Sequence, residues 1–559
     1  MSNKLELTWY NKYKVENIEP RILIENKELS NSDNDNNNDN ILIHGDNLLA
    51  LKALENKYSE KIKFIYIDPP YNTGAAFENY DDNLEHSTWL SLMKSRLEIL
   101  YKLLADDGFF CCQIDDSEGQ YLKVLLDEIF GRKNYLTTMY IRVRYPEKTL
   151  KEDMVFHKEI EQIHVYRKSR NAIPNLDEEI TGFDKFTYSI TELAKPDSIL
   201  KLGGKRVEIF NKESYRVEKG TGDKNKLKEV WASGTILDGN SSGRFFRDYL
   251  TGRYEEDGYG VLYKVYDIGD DQFNYRYFTG PKKIGATKGK YYQGVPIEKL
   301  NSETLTKKIP INSFYDFAAN FGNCRQEGGV GFRGGKKPEV LLKMLLKYFS
   351  NEDDLVLDSF CGSGSTIAVA HKMKRKWIGI EMGEQAYTHC KKRLDNIILG
   401  KDKTGISKEE DWKGGGGYKF YELAPSLINI DSFGEPVINK QYNAEMLAAA
   451  VALHEGFKYN PSYEKFWKQS MGNENSYLYV TTKFVTKNDI NKIKEEMNDA
   501  EYLVIACTAY DKEIDGLYKN IKIKKIPEML LSKCEFGKDN YNLNIINPPE
   551  YEEECEDDE

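Results

Sequence analysis

The chain has 559 residues, 40% of them hydrophobic and 30% charged, with a formal net charge of -11 at pH 7. This length exceeds what one hydrophobic core organises, so we expect two or three domains of globular composition. No run approaches the roughly 18 apolar residues of a membrane span, and the first residues lack the plan of a signal peptide, which predicts a cytoplasmic protein without a membrane partner. The eight cysteines include no CxxC pair, which favours reduced, structural thiols over a metal site.

Apolar strand patterns alternate with helical patterns along residues 40–170. Strands are predicted over NILIHGD, KIKFIYIDPP, GFFCCQIDD, YLTTMYIRV and EIEQIHVYRKS, and helices over NLLALKALENKY, TWLSLMKSRLEILYKLLAD and GQYLKVLLDEIF. Such alternation predicts a doubly wound, mainly parallel α/β sheet. The preceding residues, 1–39, contain the loop NSDNDNNNDN, a low-complexity stretch that we expect to be solvated.

The composition changes at residues 171–330, which are rich in Gly, Tyr, Lys and Asn and contain short strand-like patterns. The αβ order resumes in residues 331–425, with a helix over KKPEVLLKMLLKYFS, a strand and turn in DLVLDSFCGSGST, a helix through IAVAHKMK and a strand in KWIGIEM. Residues 171–330 are therefore interpreted as a domain inserted into the sheet. Residues 426–547 predict a small C-terminal α/β unit, and residues 548–559 an acidic tail.

The strand pattern KIKFIYI ends abruptly at DPPY, Asp68 to Tyr71. Pro69 and Pro70 fix φ and remove backbone donors, so a carboxylate and a rigid carbonyl become two acceptors for one exocyclic amino group. Tyr71 adds an aromatic face, and together these groups predict a pocket for a flat amino-bearing ring such as an extruded nucleobase. A proline turn with a capping acid is the structural alternative. We favour that alternative for a bare proline pair, and the pocket for the full DPPY accompanied by FxGxG.

A glycine turn, DSFCGSGST, follows a later strand. Asp358 ends that strand, Gly362 and Gly364 allow close approach of a ligand, and Glu381 ends the next strand, about 20 residues on, where an acid can accept both ribose hydroxyls. A lone GxG fits a structural turn and a nucleotide site equally well. Dinucleotide-binding folds carry a third glycine where this chain has Ile367, and GATKGKY lacks the hydroxyl residue of a phosphate loop, so no ATPase is predicted.

DPPYNTG together with FCGSG resembles the S-adenosylmethionine-dependent amino-methyltransferases of DNA. DPPY precedes FxGxG, with the insert between them, and this circularly permuted order is similar to that of the β class, in which the insert is the target recognition domain. The segments ILIHGDNLLALKAL, WLSLMKSRL, DDGFFCCQIDDSE, GGKKPEVLLKML and GGGGYKFYELAP resemble Mod subunits of type III restriction-modification systems. The resemblance covers about residues 40–168 and 331–425.

The resemblance implies a role for each motif residue. Asp68 and the Pro69 carbonyl would accept hydrogen bonds from the target amino group, while Tyr71 would stack on the flipped base. The fold implied is the Rossmann-like methyltransferase sheet, and the cofactor is S-adenosylmethionine. The residues implied to hold it are Asp46 beside the adenine ring, Glu381 at the ribose, Asp358, Phe360, Gly362 and Gly364 at the methionine part, and Lys337, which with Pro338 closes the cofactor site.

In this family an acid at the first place of DPPY goes mostly with adenine N6. The resemblance therefore implies site-specific methylation of adenine N6, with cytosine N4 as the alternative. As a type III Mod subunit the chain would bind double-stranded DNA, form a homodimer and work with a restriction subunit, a helicase-nuclease. A recognition subunit that mainly positions such a helicase-nuclease is the other alternative. Protein-glutamine methyltransferases use NPPY with the glycine motif first, and both features are opposite here.

Basic and aromatic residues are interleaved in the insert, as in SGRFFRDYLTGRY and FNYRYFTGPKKIGATKGKYY. This interleaving is typical of phosphate contacts and base stacking, although a charge run is more often a solvated face. As a group, inside the position of a recognition domain, these residues predict binding. The predicted DNA contacts are Arg244, Arg247, Arg276, Lys282, Lys283, Lys288 and Lys290.

Overall fold

The computed structural model describes residues 6–14, 17–31, 39–72, 85–147, 156–235, 240–286, 288–301, 305–332, 335–473 and 475–537. Most of the Asn/Asp-rich loop and the whole acidic tail lie outside these residues. The chain forms two compact units, the larger from Met1–Asn175 with Asn312–Glu559 and the smaller from Leu176–Ile311. The smaller unit lies within residues 171–330, the range over which the sequence predicts an insert.

Helices and strands alternate in the first part of the larger unit, as the sequence predicts. The elements are β1 (Leu23–Glu25), β2 (Ile41–His44), α1 (Asn47–Tyr58), β3 (Ile62–Ile67), α2 (His86–Leu103), β4 (Leu104–Ile114), α3 (Gly119–Leu126), β5 (Tyr135–Arg142) and β6 (Ile160–Arg167). Side chains determine where the helices begin. Asp46 accepts the N–H of Leu49 at the start of α1, which satisfies a donor that has no partner inside the helix.

Antiparallel strands dominate the smaller unit. Its elements are β7 (Asp177–Thr181), β8 (Tyr188–Glu192), β9 (Ser198–Leu202), β10 (Lys205–Phe210), β11 (Tyr215–Lys219), β12 (Lys228–Ser233), α4 (Ser241–Phe245), α5 (Tyr254–Asp257), β13 (Leu262–Tyr266), β14 (Tyr275–Thr279), β15 (Lys288–Gln293) and β16 (Leu305–Ile309). Six strands form one sheet in the order β12-β15-β14-β13-β10-β9. Phe246 of the segment after α4 packs on one face with Phe278, and the antiparallel pair of strands β8 and β11 packs near Phe210 on the other. The unit therefore has an apolar core on each face of its sheet.

The αβ order resumes after the insert. The elements up to the end of the main sheet are β17 (Phe314–Asp316), α6 (Ala318–Asn323), α7 (Glu339–Phe349), β18 (Leu355–Asp358), α8 (Ser365–Lys372), β19 (Lys376–Glu381), α9 (Lys392–Ile398) and β20 (Lys419–Leu423). The C-terminal elements are β21 (Ile428–Ile430), β22 (Pro436–Ile438), α10 (Ala444–Glu455), β23 (Lys458–Tyr459), β24 (Ser470–Met471), β25 (Ser476–Thr481), α11 (Lys487–Glu496), β26 (Tyr502–Cys507), β27 (Ile521–Lys525) and α12 (Glu528–Leu531).

The main sheet has ten strands in the order β1-β20-β2-β19-β18-β3-β4-β6-β5-β17. Its central pairs, from β20 to β4, are all parallel, whereas β6 runs antiparallel to both β4 and β5. From β3 the chain proceeds to β4 on one side, and from β18 it proceeds to β19 on the other. This confirms the predicted doubly wound α/β sheet, and it makes the ends of β3 and β18 the point where the winding reverses.

The smaller unit ends earlier than the predicted insert of residues 171–330. The reason is β17, which pairs in parallel with β5 of the main sheet, with Phe314 opposite Tyr140. Residues 312–330 therefore belong with the larger unit. A strand of three residues carries too little periodic pattern to be recognised before the fold is known.

The predicted C-terminal unit has its own sheet in the order β23-β24-β25-β26-β27, and α10 coincides with the helix expected over AEMLAAAVALHE. It belongs to the same compact unit as the main sheet. The buried carboxylate of Glu19 accepts the N–H of Leu427 and the hydroxyl of Ser426. This contact ties the N-terminal segment to the start of the C-terminal region.

In the described parts of the chain, no helix combines the length and the apolar character needed to cross a membrane. Seven cysteines lie in those parts, and each is a buried free thiol.

Candidate functional site

One cavity of about 570 Å³ lies at the carboxyl ends of β3 and β18. These strands are neighbours, with Leu357 opposite Ile65, so the two motifs meet at the switch point of the sheet, where doubly wound folds bind ligands. The lining includes the whole DPPY corner, Asp68, Pro69, Pro70 and Tyr71, and the predicted cofactor residues Asp46, Lys337, Asp358, Phe360, Gly362 and Glu381. Gly364 lies directly behind, at the N-terminus of α8.

The DPPY corner is held by side chains from other elements. The Tyr71 hydroxyl lies 2.8 Å from Asp68 Oδ1 and 2.8 Å from Glu161 Oε2, and the Trp89 indole donates to the Pro70 carbonyl at 2.8 Å. A phenol has one proton to donate, so both tyrosine contacts are hydrogen bonds only when one carboxyl group is protonated. Burial raises the pKa of Asp68, and the neighbouring Glu161 raises it further, while Lys337 opposes both.

Lys337 binds the predicted catalytic carboxylate. Its ammonium lies 2.7 Å from Asp68 Oδ2 and 3.7 Å from Glu161 Oε2, and 5.0 Å from the centroid of the Tyr71 ring. The side chain is 6% exposed. Burial alone would lower the pKa of Lys337, but the carboxylates of Asp68 and Glu161 outweigh burial and raise it. The predicted cofactor cation is therefore paired with the predicted catalytic acid.

Two residues of this cluster were missed by the sequence analysis. Gln113, near the end of β4, donates to Glu161 Oε2 at 2.6 Å and accepts the hydroxyl proton of Tyr66 at 2.6 Å. Glu161 stands on β6, which lies beside β4 in the sheet. The sequence did contain an indication, because an acid and an amide stand inside strand patterns that otherwise predict burial. Burying a polar side chain costs free energy unless it has a hydrogen-bond partner.

The glycine turn has the conformation that its sequence predicts. Gly362 and Gly364 have φ values of 52° and 73°, in the left-handed region that favours glycine. A Cβ on Gly364 would lie 3.2 Å from the backbone of Cys390. The carboxylate of Glu381 accepts the N–H of Gly362 at 2.7 Å and that of Gly383 at 3.0 Å. Glu381 therefore holds the turn against the end of β19, and its predicted contact with a ribose stays a prediction.

Asp358 ends β18 with its carboxylate buried below the turn. It accepts the N–H of Phe360 at 2.9 Å, and it is 2% exposed. Burial raises the pKa of this carboxyl group to about 7, although hydrogen bonds from Thr366 and Phe360 oppose the shift. Asp358 therefore carries a proton over a far wider pH range than an exposed aspartate does.

The N-terminus of α1 is joined to the glycine turn. The Asn47 amide donates to the Ser359 carbonyl at 2.9 Å and accepts from Arg96 Nε at 2.5 Å. Arg96 also donates to the Asp46 carboxylate at 3.3 Å. Sequence reasoning found Asp46 but not Asn47 or Arg96, because their roles depend on how α1 and α2 pack beside the turn.

The cavity is large enough for a small-molecule cofactor. Its volume lies within the range of about 300–1,000 Å³ that small-molecule sites occupy. The buried Ser359 hydroxyl lines it and has no hydrogen-bond partner among the described residues, which leaves a polar atom for a ligand to satisfy. No group of three or more His, Cys, Asp or Glu in the described residues could hold a metal ion.

The predicted DNA contacts in the smaller unit differ in exposure. Lys282, Lys283 and Lys288 are exposed, as is Arg244. Arg247 pairs with Asp248 at 2.6 Å and Lys290 with Glu229 at 2.7 Å.

The prediction for Arg276 was wrong. Its side chain is 2% exposed, and its guanidinium donates to Asp271 at 2.6 Å and to the Ser242 hydroxyl at 2.5 Å. Asp271 also accepts the N–H of Gly294 at 2.8 Å. An arginine enclosed in this way joins β14 to helix α4 and to the loop that precedes β14, and it presents no group to a phosphate.

Comparison with known proteins shows which family the central part of the chain is similar to. The family model described as "N6_N4_Mtase: DNA methylase" matches residues 62–392. The "Probable type III restriction-modification enzyme HindVI Mod subunit" of Haemophilus influenzae is 34% identical over 69% of this chain and 54% of its own length. The EcoPI Mod subunit of Escherichia phage P1 is 27% identical over 64% and 58%, and the type II methyltransferase M.EcaI of Enterobacter cloacae is 29% identical over 61% and 66%. The chain spans little more than half the length of these Mod subunits.

Proposed function

Since the chain belongs to the DNA methylase family whose model matches residues 62–392, we propose that it methylates the N6 amino group of adenine at a specific DNA sequence, with S-adenosylmethionine as the methyl donor. One observation carries the proposal. The carboxylate of Asp68, the ring of Tyr71 and the glycine turn with Gly362 line the same cavity. An acceptor for an amino group, a stacking surface for a base and a turn for a cofactor are the parts that this reaction requires.

The protein's contribution to the reaction would be positioning. Tyr71 stacks on the extruded base, and Asp68 accepts a hydrogen bond from its amino group, which aims the nitrogen lone pair along one direction. When bound, the cofactor supplies an electrophilic methyl group on sulfur, so an N–C bond forms as an S–C bond breaks and the amine proton leaves to solvent. Fixed acceptors strengthen this alignment, because they need no reorganisation during transfer.

The cofactor would lie between α1 and the glycine turn. We assign Asp46 to the adenosine end, Glu381 to the ribose hydroxyls, and Phe360 with the backbone of Gly362 to the methionine end. The unpartnered Ser359 hydroxyl supports this assignment, because it faces the same space.

We further propose that the chain acts as the modification and recognition subunit of a type III system. Support comes from the relatives named as type III Mod subunits. The proposal includes a homodimer and a helicase-nuclease partner that cuts DNA. Arg244, Lys282, Lys283 and Lys288 are the exposed cations of the smaller unit that we assign to the DNA backbone.

Modification-sensitive sequencing of DNA from cells that express this protein, compared with cells expressing Asp68→Ala, tests the proposal. We expect one asymmetric motif methylated at adenine N6 on one strand, and no mark with the variant. A mark on cytosine N4 would contradict the base assignment, and a palindromic motif marked on both strands would contradict the type III assignment. No mark from folded wild-type protein would favour a recognition subunit that needs a partner.

A further inference from the structure

Lys337 occupies the place that the proposed reaction gives to the target amino group. An ammonium N–H on Asp68 Oδ2 at 2.7 Å is the same kind of donor as the amino group of adenine. The ammonium also lies 5.0 Å from the centroid of the Tyr71 ring, which is the face assigned to the base. A base that stacks on Tyr71 and donates to Asp68 therefore competes with Lys337 for both groups.

The same ammonium is the cation that a cofactor carboxylate would seek. Among the residues that the structure describes, four basic side chains line the cavity: Arg96, Arg144, Lys158 and Lys337. Arg96 is held by Asp46 and Asn47, Arg144 by the Lys158 carbonyl, and Lys158 by Asp116 at 2.9 Å. Lys337 is held instead by Asp68, the acid that the proposed reaction needs for the target amino group. It is also buried, so an ion pair that it makes is weakly screened.

We propose, on the basis of the function proposed above, that Lys337 is exchanged between two carboxylates. In the ligand-free protein it neutralises Asp68 and occupies the amino-group site. With the cofactor bound, Lys337 would pair with its carboxylate instead, which would free Asp68 and the Tyr71 ring for the base. Lys337 is thus a positioning residue that makes cofactor binding a precondition of base entry, and thermodynamic linkage requires that the base in turn strengthen cofactor binding.

The exchange predicts a measurable competition that needs neither DNA nor turnover. S-adenosylhomocysteine carries the amino-acid arm with its carboxylate, whereas 5′-methylthioadenosine shares its adenosine and sulfur but lacks that arm. The ratio of their dissociation constants, from isothermal titration calorimetry, therefore reports the contacts of the arm. If Asp68 competes for Lys337, Asp68→Asn should raise the preference for S-adenosylhomocysteine by about tenfold, within the usual range of coupling between two sites.

A double-mutant cycle separates this competition from a general change of charge. Lys337→Met should lower the preference for S-adenosylhomocysteine, and adding Asp68→Asn to it should then change nothing further. Lys343→Met is the matched control, because Lys343 is a lysine of α7, the helix that begins two residues after Lys337, and it pairs with Glu409 at 2.8 Å away from the cavity lining. It should leave the preference unchanged.

Two results would overturn the inference. The preference could stay the same in Asp68→Asn, a variant that keeps the size of the side chain and does not depend on Lys337→Met folding. Alternatively, Asp68→Asn could change the preference equally in the presence and absence of Lys337. If both nucleosides bind and either result is found, only the exchange is wrong. If neither nucleoside binds the wild-type protein, the proposed cofactor is wrong and the inference falls with it.

Discussion

The cavity of the larger unit and the sheet of the smaller unit both bury charged side chains, but in different ways. Asp68 and Lys337 pair at 2.7 Å beside a cavity, with side chains 18% and 6% exposed. Arg276 and Asp271 pair at 2.6 Å with side chains 2% and 1% exposed, and neither lines that cavity. The first pair can exchange its partners for a ligand, whereas the second is enclosed by its own sheet.

The comparison indicates what a buried charge means for function. A charge in a closed interior contributes to architecture, because removing its partner leaves an uncompensated ion. A charge beside a cavity keeps part of its bonding capacity for a molecule that arrives later. Substitutions in the two regions should therefore change different measured quantities.

The largest effect is expected for Arg276→Met. This change leaves Asp271 buried without its cation, and such breaks cost about 3–5 kcal/mol. Chemical denaturation, followed by hydrogen exchange in β14, should show this loss of stability in the smaller unit. Lys282→Met, at an exposed position, is the control and should change stability by no more than about 0.5 kcal/mol. Equal effects from the two variants would contradict the architectural role of Arg276.

Asp358→Asn should change the pH dependence of stability. The pKa of Asp358 is raised from its ordinary value of 3.8 to about 7 in the folded protein, so folding favours the protonated form. This stabilisation is fully present below about pH 4 and is lost as the pH rises to about 7, above which the curve is flat. Relative to Asp358→Asn, the wild type should therefore lose on the order of 4 kcal/mol across this window. Parallel curves of unfolding free energy against pH would contradict the assignment.

Substitutions at Tyr71 should separate its ring from its hydroxyl. Stacking of a base on an aromatic ring contributes about 1–3 kcal/mol, so Tyr71→Ala should lower kcat/KM for methyl transfer about 100-fold. Tyr71→Phe keeps the ring and loses the contacts to Asp68 and Glu161, and we expect a decrease of about tenfold. A larger loss in Tyr71→Phe than in Tyr71→Ala would show that the ring does not stack on the base.

The sequence predicted the two motifs of the cavity because each is local. A strand end followed by DPPY, and a strand end followed by a glycine turn, imply the carboxyl edge of a parallel sheet. Glu161 escaped prediction because its contact with Tyr71 depends on β6 lying antiparallel beside β4. No periodicity within β6 specifies that partner.

The error at Arg276 has a different origin. Side chains two residues apart in a strand lie on the same face, and Arg276 shares its face of β14 with the buried Phe278. The basic character of FNYRYFTG was read as a surface, although its alternation also allowed an arginine on the core side. Composition alone does not tell the two faces of a strand apart.

The smallest effects are expected at the exposed lysines of the smaller unit. They test whether exposed cations, unlike the enclosed Arg276, are available to a ligand. Lys282→Ala, Lys283→Ala and Lys288→Ala should each weaken DNA binding several-fold without loss of stability. Each phosphate contact removed should also reduce the slope of log K against log salt by about 0.9. Fluorescence anisotropy at several salt concentrations measures both quantities.

Lys290 is the matched control for these lysines. It pairs with Glu229 at 2.7 Å and lies 4.8 Å from the centroid of the Trp231 ring, so binding a phosphate would require it to leave existing partners. Lys290→Ala should therefore change the salt slope less than Lys282→Ala does. If the order were reversed, an internal ion pair would not mark a charge as structural in this unit. Ion pairing would then not predict which surface cations bind DNA, whereas the structural role of Arg276 in the interior would be unaffected.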